Sequence, residues 1–181
     1  MRARRDLVTV DEAHAAARAV ASRGLEWTRA RFAPGAAAAA YWPIRSELSP
    51  VPLLEALAAA GFRTALPRMK SATRVLSFHV WAPGDALVKG PLGLSEPAAD
   101  AAALDPAILF LPLLAFDAAG GRLGYGGGHY DATLAQARAQ GAVAAVGLAY
   151  DLQEAVGLPI EPHDAALDAV LTETRLLSFR S

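Results

Sequence analysis

Ala107-Ile-Leu-Phe-Leu111, opened by Asp105-Pro106, is an unbroken apolar run that offers no polar side chain to water. A strand of that kind is covered on both faces, which is the condition of a parallel or mixed sheet held between helices. Val143 to Tyr150 and Asp168 to Thr172 repeat the pattern of a short buried strand. An alanine run is intrinsically helical, but Ala36 to Tyr41 is bracketed by Pro34-Gly35 and Pro43, and the brackets make it a further buried strand. Arg63 to Pro67 and Val75 to Trp81 also read as strands. In the second, Val75, Ser77, His79 and Trp81 alternate with Leu76, Phe78 and Val80.

Helical patterns separate these strands. Asp11 to about Phe32 carries apolar residues at helical spacing and stops at Pro34-Gly35. Ser49-Pro50 opens a second helix with a capping hydroxyl and a proline, and Gly61 closes it after Leu53, Leu54 and Leu57. Asp131 to Gln140 is a third, ended by Gly141. Strands alternating with helices predict an α/β fold, a layered sandwich whose largely parallel central sheet is flanked by helices. The 181 residues suit a single domain over 1–181, with neither an internal repeat nor a linker to divide it.

Composition narrows the function classes. With 54% hydrophobic and 19% charged residues the chain is not a disordered one. No apolar stretch approaches the ~20 residues of a membrane span. Met1-Arg-Ala-Arg-Arg-Asp6 has the positive start of a signal peptide, but Asp11, Glu12, His14 and Arg18 occupy the place of its apolar segment. A cytoplasmic protein is expected. Zero cysteines exclude disulfides and thiolate chemistry, and a net charge of −1 gives no field that would gather nucleic acid. Local arginines are left to meet a small anionic ligand.

Gly124, Gly126, Gly127 and Gly128 lie between a buried strand and a helix beginning near Asp131. Backbone without Cβ atoms lets a ligand approach closely, and its N–H groups add to the helix dipole, so phosphate is the expected guest. Arg122 contributes a planar fork for phosphate oxygens and Asp131 a carboxylate able to hold Mg²⁺ beside them. A P-loop needs a lysine that does not follow these glycines, and a dinucleotide fingerprint would need glycine where His129 or Asp131 stands. For the glycines alone, a tight turn with Arg122 and Asp131 paired in solvent is the simpler account. Arg122, four glycines, Tyr130 and Asp131 in one run favour a metal-nucleotide.

The run Pro112-Leu-Leu-Ala-Phe-Asp117 followed by Gly120-Gly-Arg-Leu-Gly-Tyr-Gly-Gly-Gly-His-Tyr-Asp131 resembles the signature of the 5-formyltetrahydrofolate cyclo-ligase family. Tyr41-Trp-Pro-Ile-Arg-Ser-Glu47, Leu76 to Pro97 and Pro159-x-Glu-x-His-Asp164 resemble three further blocks of that family in the same order. The resemblance implies an α/β sandwich and an ATP- and Mg²⁺-dependent enzyme. Its reaction would close 5-formyltetrahydrofolate to 5,10-methenyltetrahydrofolate as the formyl oxygen attacks the γ-phosphoryl group, N10 closes the ring and phosphate leaves. By resemblance Arg122 and Gly124, Tyr125, Gly126, Gly127, Gly128, His129 and Tyr130 would wrap the ATP phosphates, with Arg122 and Tyr130 as the catalytic candidates. Asp131 and Asp164 would place magnesium, and Glu47 and Trp81 would bind the folate. Without the resemblance, Glu47 would more readily be a cap or salt bridge, and Trp81 and Phe78 core aromatics. Hard oxygen ligands beside phosphate favour Mg²⁺ over a zinc arrangement of His129, Asp131, His163 and Asp164. The expected partner is a folate, with or without a polyglutamate tail, and the expected state a monomer.

The chain departs from the family pattern at its start. The family's first helix opens with a Lys-x-x-Leu-Arg stretch that reaches nucleotide and substrate, whereas Met1-Arg-Ala-Arg-Arg-Asp-Leu7 resembles the Arg-x-x-Leu portion after it. Either Arg2, Arg4 or Arg5 substitutes, or the start lies upstream, or the contact is lost. In the last case the chain is a weak or inactive folate- or nucleotide-binding relative. Leu92 and Ala132 also differ from the residues usual at their places.

Overall fold

The computed structural model describes residues 2–70, 72–159, 161 and 164–179. The chain begins with α1 (Arg2–Arg5), α2 (Val10–Arg29), β1 (Ala37–Ala39), α3 (Val51–Ala59), β2 (Arg63–Arg68) and β3 (Ser77–Val80). A short hairpin of β4 (Val88–Lys89) and β5 (Ser95–Glu96) precedes β6 (Ile108–Pro112). Then come β7 (Ala115–Phe116), β8 (Arg122–Leu123), α4 (His129–Gln140), β9 (Ala144–Leu148), β10 (Ala169–Leu171) and β11 (Leu176–Ser178). Among the described residues no helix is long and apolar enough to cross a membrane.

Seven strands form one sheet in the order β11-β10-β9-β6-β1-β2-β3. All pairings from β10 to β2 are parallel, and only the edge strands β3 and β11 are antiparallel. The largely parallel sheet expected from the buried runs is the one observed. Side chains alternate between its two faces as the pleat requires. Ala38, Ile108, Phe110, Val146 and Leu171 join α2 and α3 through Val20, Leu53 and Leu57. Ala39, Leu109, Leu111, Ala145 and Val170 join α4 through Leu134. The brackets around the alanine run prevail over its helical preference because β1 is the middle of the sheet, paired on both sides.

The order of strands creates the crevice that matters. From β1 the chain moves outward to β2 and β3, then returns to lay β6 on the other side of β1. Where a parallel sheet reverses its direction of growth, the segments leaving adjacent carboxyl ends diverge and leave a gap between them. Here that gap opens beyond Ala39 of β1 and Pro112 of β6.

Several boundaries differ from the sequence expectation for local reasons. Thr9 and Glu12 form a capping box, so α2 starts ahead of Asp11. Pro50, not Ser49, stands at the cap of α3, and the Ser49 hydroxyl accepts from Val51 N–H at 3.3 Å from one position further out. Val75 and Leu76 lie outside β3 because their N–H groups go to Thr73 Oγ1 and Thr133 Oγ1. The third predicted helix begins at His129, so Tyr130 and Asp131 fall in its first turn.

Candidate functional site

One wall of the crevice is the segment leaving β1. Buried Tyr41 donates its hydroxyl to the Leu48 carbonyl at 2.6 Å, pinning the segment between them into a loop. Within it Glu47 N–H donates to the Ile44 carbonyl at 3.1 Å, while Ile44 N–H donates to Glu47 Oε2 at 3.0 Å. The turn places Arg45 at φ 55°, a left-handed conformation that strains a residue with a Cβ. Glu47 is buried, and burial raises its pKa above the ordinary glutamate range, against the opposing pull of the Ile44 N–H, Tyr125 and Arg5.

Of the three arginines near the start of the chain, the fold brings in Arg5 and leaves Arg2 and Arg4 exposed. Arg5 is 2% exposed, its Nε donates to Ser46 Oγ at 3.1 Å, and its guanidinium carbon lies 5.8 Å from the centre of the Tyr125 ring. Its Nη2 has no hydrogen-bond partner among the described residues.

The other wall grows from β6. Asp117 Oδ1 accepts from Ala119 and Gly121 N–H at 3.0 and 2.8 Å, closing the β7–β8 turn and delivering Arg122 on β8. The Arg122 side chain is 4% exposed, and its Nη2 donates to Asp131 Oδ1 at 2.5 Å. Ala165 N–H donates to the same oxygen at 3.2 Å. The pair is therefore an internal fastener and not the solvent-exposed one a plain turn would give. Arg122 Nε is buried without a hydrogen-bond partner among the described residues.

Between Arg122 and Asp131 the backbone turns at Gly126, φ 85°, and at Gly128, φ 65°, which caps α4 without a side chain. Only glycine adopts such angles without strain, and the first-turn N–H groups of α4 have no acceptor within the helix. Thr133 Oγ1 donates to the His129 carbonyl at 2.6 Å, and His129 Nδ1 pairs with the Arg74 carbonyl at 2.9 Å.

The walls enclose a cavity of about 600 Å³. Glu47, Arg122, Asp131, Asp164 and every residue from Gly124 to Tyr130 line it, so each candidate from the sequence faces the same space except Trp81. Trp81 is buried, its Nε1 donates to the Asp85 carbonyl at 3.3 Å, and its ring meets Trp42 edge-on, 5.9 Å between centres. Trp42, which sequence reasoning passed over, is the tryptophan lining the cavity. Its place directly after Tyr41 in the block ending at Glu47 was the available signal. Glu96 was also missed: it lines the cavity, is 2% exposed, and accepts from Met69 N–H at 3.0 Å through Oε1.

Burial pushes the Tyr41 and Tyr130 phenols above their ordinary range, with the nearby Glu47 charge adding to the effect. Both stay protonated at neutral pH and can act as donors, not bases. Asp164 Oδ2 accepts from Glu161 N–H at 2.8 Å. No cluster of three or more metal-ligating side chains occurs among the described residues, and His163 of the zinc alternative lies outside them.

A family model described as the 5-formyltetrahydrofolate cyclo-ligase family matches residues 1–173. A 5-formyltetrahydrofolate cyclo-ligase of Mycolicibacterium smegmatis is 35% identical over 175 residues, covering 92% of this chain and 88% of the relative. One from Escherichia coli K12 is 40% identical over 136 residues, covering 72% and 74%. The solved structure of Aquifex aeolicus 5,10-methenyltetrahydrofolate synthetase is similar with a TM-score of 0.72 at 25% identity, over 98% of this chain and 88% of that one.

Proposed function

The chain belongs to the 5-formyltetrahydrofolate cyclo-ligase family, and from that premise we propose that it converts 5-formyltetrahydrofolate to 5,10-methenyltetrahydrofolate at the expense of ATP, releasing ADP and phosphate. The observation that carries the reading is the shared cavity, where the glycine loop and the Glu47 turn, from opposite halves of the chain, face one another. A formyl oxygen is a weak nucleophile, so the reaction needs folate and nucleotide held in contact, and one cavity with two differently equipped walls provides that.

The residues present fit the nucleotide. Gly126 offers no Cβ to the cavity and open space where one would stand, the first turn of α4 presents unsatisfied N–H groups, and Arg122 keeps one buried donor unused. They also fit Mg²⁺, which usually takes one or two carboxylates and fills its shell with phosphate and water. Asp131 and Asp164 would be those carboxylates. Both described bonds of Asp131 use Oδ1, leaving Oδ2 for the cation. ATP, when bound, supplies the phosphoryl group that turns the formyl oxygen into a leaving group.

The chain's own residues position and polarise. Arg122 would neutralise charge developing on the phosphoryl oxygens, the loop N–H groups would fix its orientation, and protonated Tyr130 would donate a hydrogen bond beside it. Glu47, within a buried turn, would accept from the donor edge of the pterin, and Trp42 would cover the ring. The test is to mix protein, 5-formyltetrahydrofolate, ATP and Mg²⁺ and follow the near-UV absorbance of the methenyl product. An ATP-dependent rise is expected, and a flat trace at high enzyme concentration refutes the reading.

A further inference from the structure

Ring closure leaves a proton to be removed. As N10 bonds to the formyl carbon and the formyl oxygen departs with the phosphoryl group, the N10–H bond breaks, and a base must stand within hydrogen-bond reach of it. Most polar groups of the cavity are engaged elsewhere. Tyr41 and Tyr130 hold their own protons. Asp131 is held by Arg122 and the Ala165 N–H, and Asp164 accepts from Glu161 N–H. Glu47 accepts from Ile44 N–H and from Tyr125. His129 opens α4 among the N–H groups that suit the nucleotide, and Glu161 is exposed.

Glu96 is the carboxylate that is left. It lies on β5, lining the cavity beside Met69 and Leu94. Oε1 accepts from Met69 N–H at 3.0 Å, while Oε2 is buried without a hydrogen-bond partner among the described residues. Two nearby cations are turned elsewhere, Lys89 Nζ to Ser95 Oγ at 3.5 Å and Arg68 Nη1 to the Pro97 carbonyl. Glu96 forms no ion pair among the described residues. A carboxylate out of water with neither a cation nor a full set of donors is unfavourable, and a substrate N–H supplies what is missing.

The hairpin is shaped around this group. Gly90 has φ −88° and ψ −169°, a conformation open to any residue, yet a Cβ there would stand 2.2 Å from Glu96 Cδ and 2.4 Å from Oε2. All three of the nearest atoms to that Cβ belong to the Glu96 carboxylate. The side chain that Gly90 lacks is the space the carboxylate uses.

We propose that Glu96 is a further catalytic residue, the base that accepts a hydrogen bond from N10–H and takes its proton as the ring closes. This rests on the cyclo-ligase reading. The N10–C bond forms, the bond from the formyl carbon to its oxygen breaks to release phosphate, and Glu96 becomes the neutral acid. It gives its proton to water once the product has left.

The experiment compares wild type with Glu96→Gln, whose amide oxygen still accepts from Met69 N–H, and with Gly90→Ala, which displaces the carboxylate without removing it. Equilibrium binding of 5-formyltetrahydrofolate without ATP, kcat, KM for ATP and melting temperature are measured for each. Glu96→Gln should lower kcat by roughly a hundredfold or more while folate affinity and KM for ATP stay within about threefold of wild type. Gly90→Ala should lower kcat in the same sense. A Glu96→Gln variant that keeps its kcat overturns the base. So does one that keeps kcat but loses folate affinity, which makes Glu96 a binding contact only, and one whose activity falls with its melting temperature and both affinities, which makes it structural. In each of these cases an active wild type leaves the cyclo-ligase reading standing, whereas an inactive wild type removes both.

Discussion

Asp131 joins three parts of the chain at one oxygen: β8 through Arg122, its own helix, and the Ala165 segment. Arg122 is nearly sealed, so Asp131→Ala leaves a buried cation without its partner. The expected loss is roughly 2–3 kcal/mol by chemical denaturation, somewhat below that of a fully buried pair because Asp131 is 21% exposed. Replacing both, Arg122→Met with Asp131→Leu, should restore most of the stability and none of the turnover. If the double variant is as unstable as the single ones, the pair is not the fastener it resembles. Glu47 gives a pH signature. The fold holds its proton more tightly than the unfolded chain does, so its contribution is complete below pH 4.5 and is lost as pH rises through the folded value. The melting temperature of Glu47→Gln should therefore gain on wild type with rising pH, and a constant difference from about pH 4 to about pH 8 would contradict the assignment. At this scale the sequence indicated the loop and its charged ends well, since they are contiguous. It named Trp81 and passed over Trp42, because which of the two lines the cavity depends on which residue follows β3 and which follows β1, a matter of pairing and not of spacing.

Among the elements, α4 depends on Gly128. A left-handed cap costs any other residue ~1 kcal/mol or more, so Gly128→Ala should lower stability by about that amount and disturb the backbone next to the cavity. Its KM for ATP should rise more than its melting temperature falls. Thr9→Ala is the control: loss of the capping box should cost ~1 kcal/mol in denaturation and leave both KM values unchanged, since α2 begins away from the cavity. The long elements were legible because their caps and periodicity are local. The hairpins β4–β5 and β7–β8 were not, because two residues per strand carry no alternation to read. The edge strand β11 also escaped notice: Leu176-Leu177-Ser178 gains its identity from β10, not from its own pattern. Arg122 was expected at the start of a loop and is found on β8, a difference that buries its side chain.

For the whole molecule, occupancy should appear as stability. A ligand at a hundred times its dissociation constant adds ~2.7 kcal/mol, so ATP with Mg²⁺ should raise the melting temperature measurably, and a chelator should cancel most of the gain. The α/β class was legible because continuous apolar runs admit few architectures, but the strand order was not, since the return past β1 is a non-local choice. That return has a further consequence. Ala38 and Ala39 of β1 meet Ile108 and Leu109 of β6 across a separation of 70 residues, and the two walls exist together only once that pairing has formed. Contacts of such long separation form slowly. A partly synthesised chain that has released Glu47 but not yet Arg122 carries one wall of the cavity without the other, so the full site cannot assemble until the glycine loop has been made. In refolding, the return of ligand binding should coincide with the slowest cooperative phase.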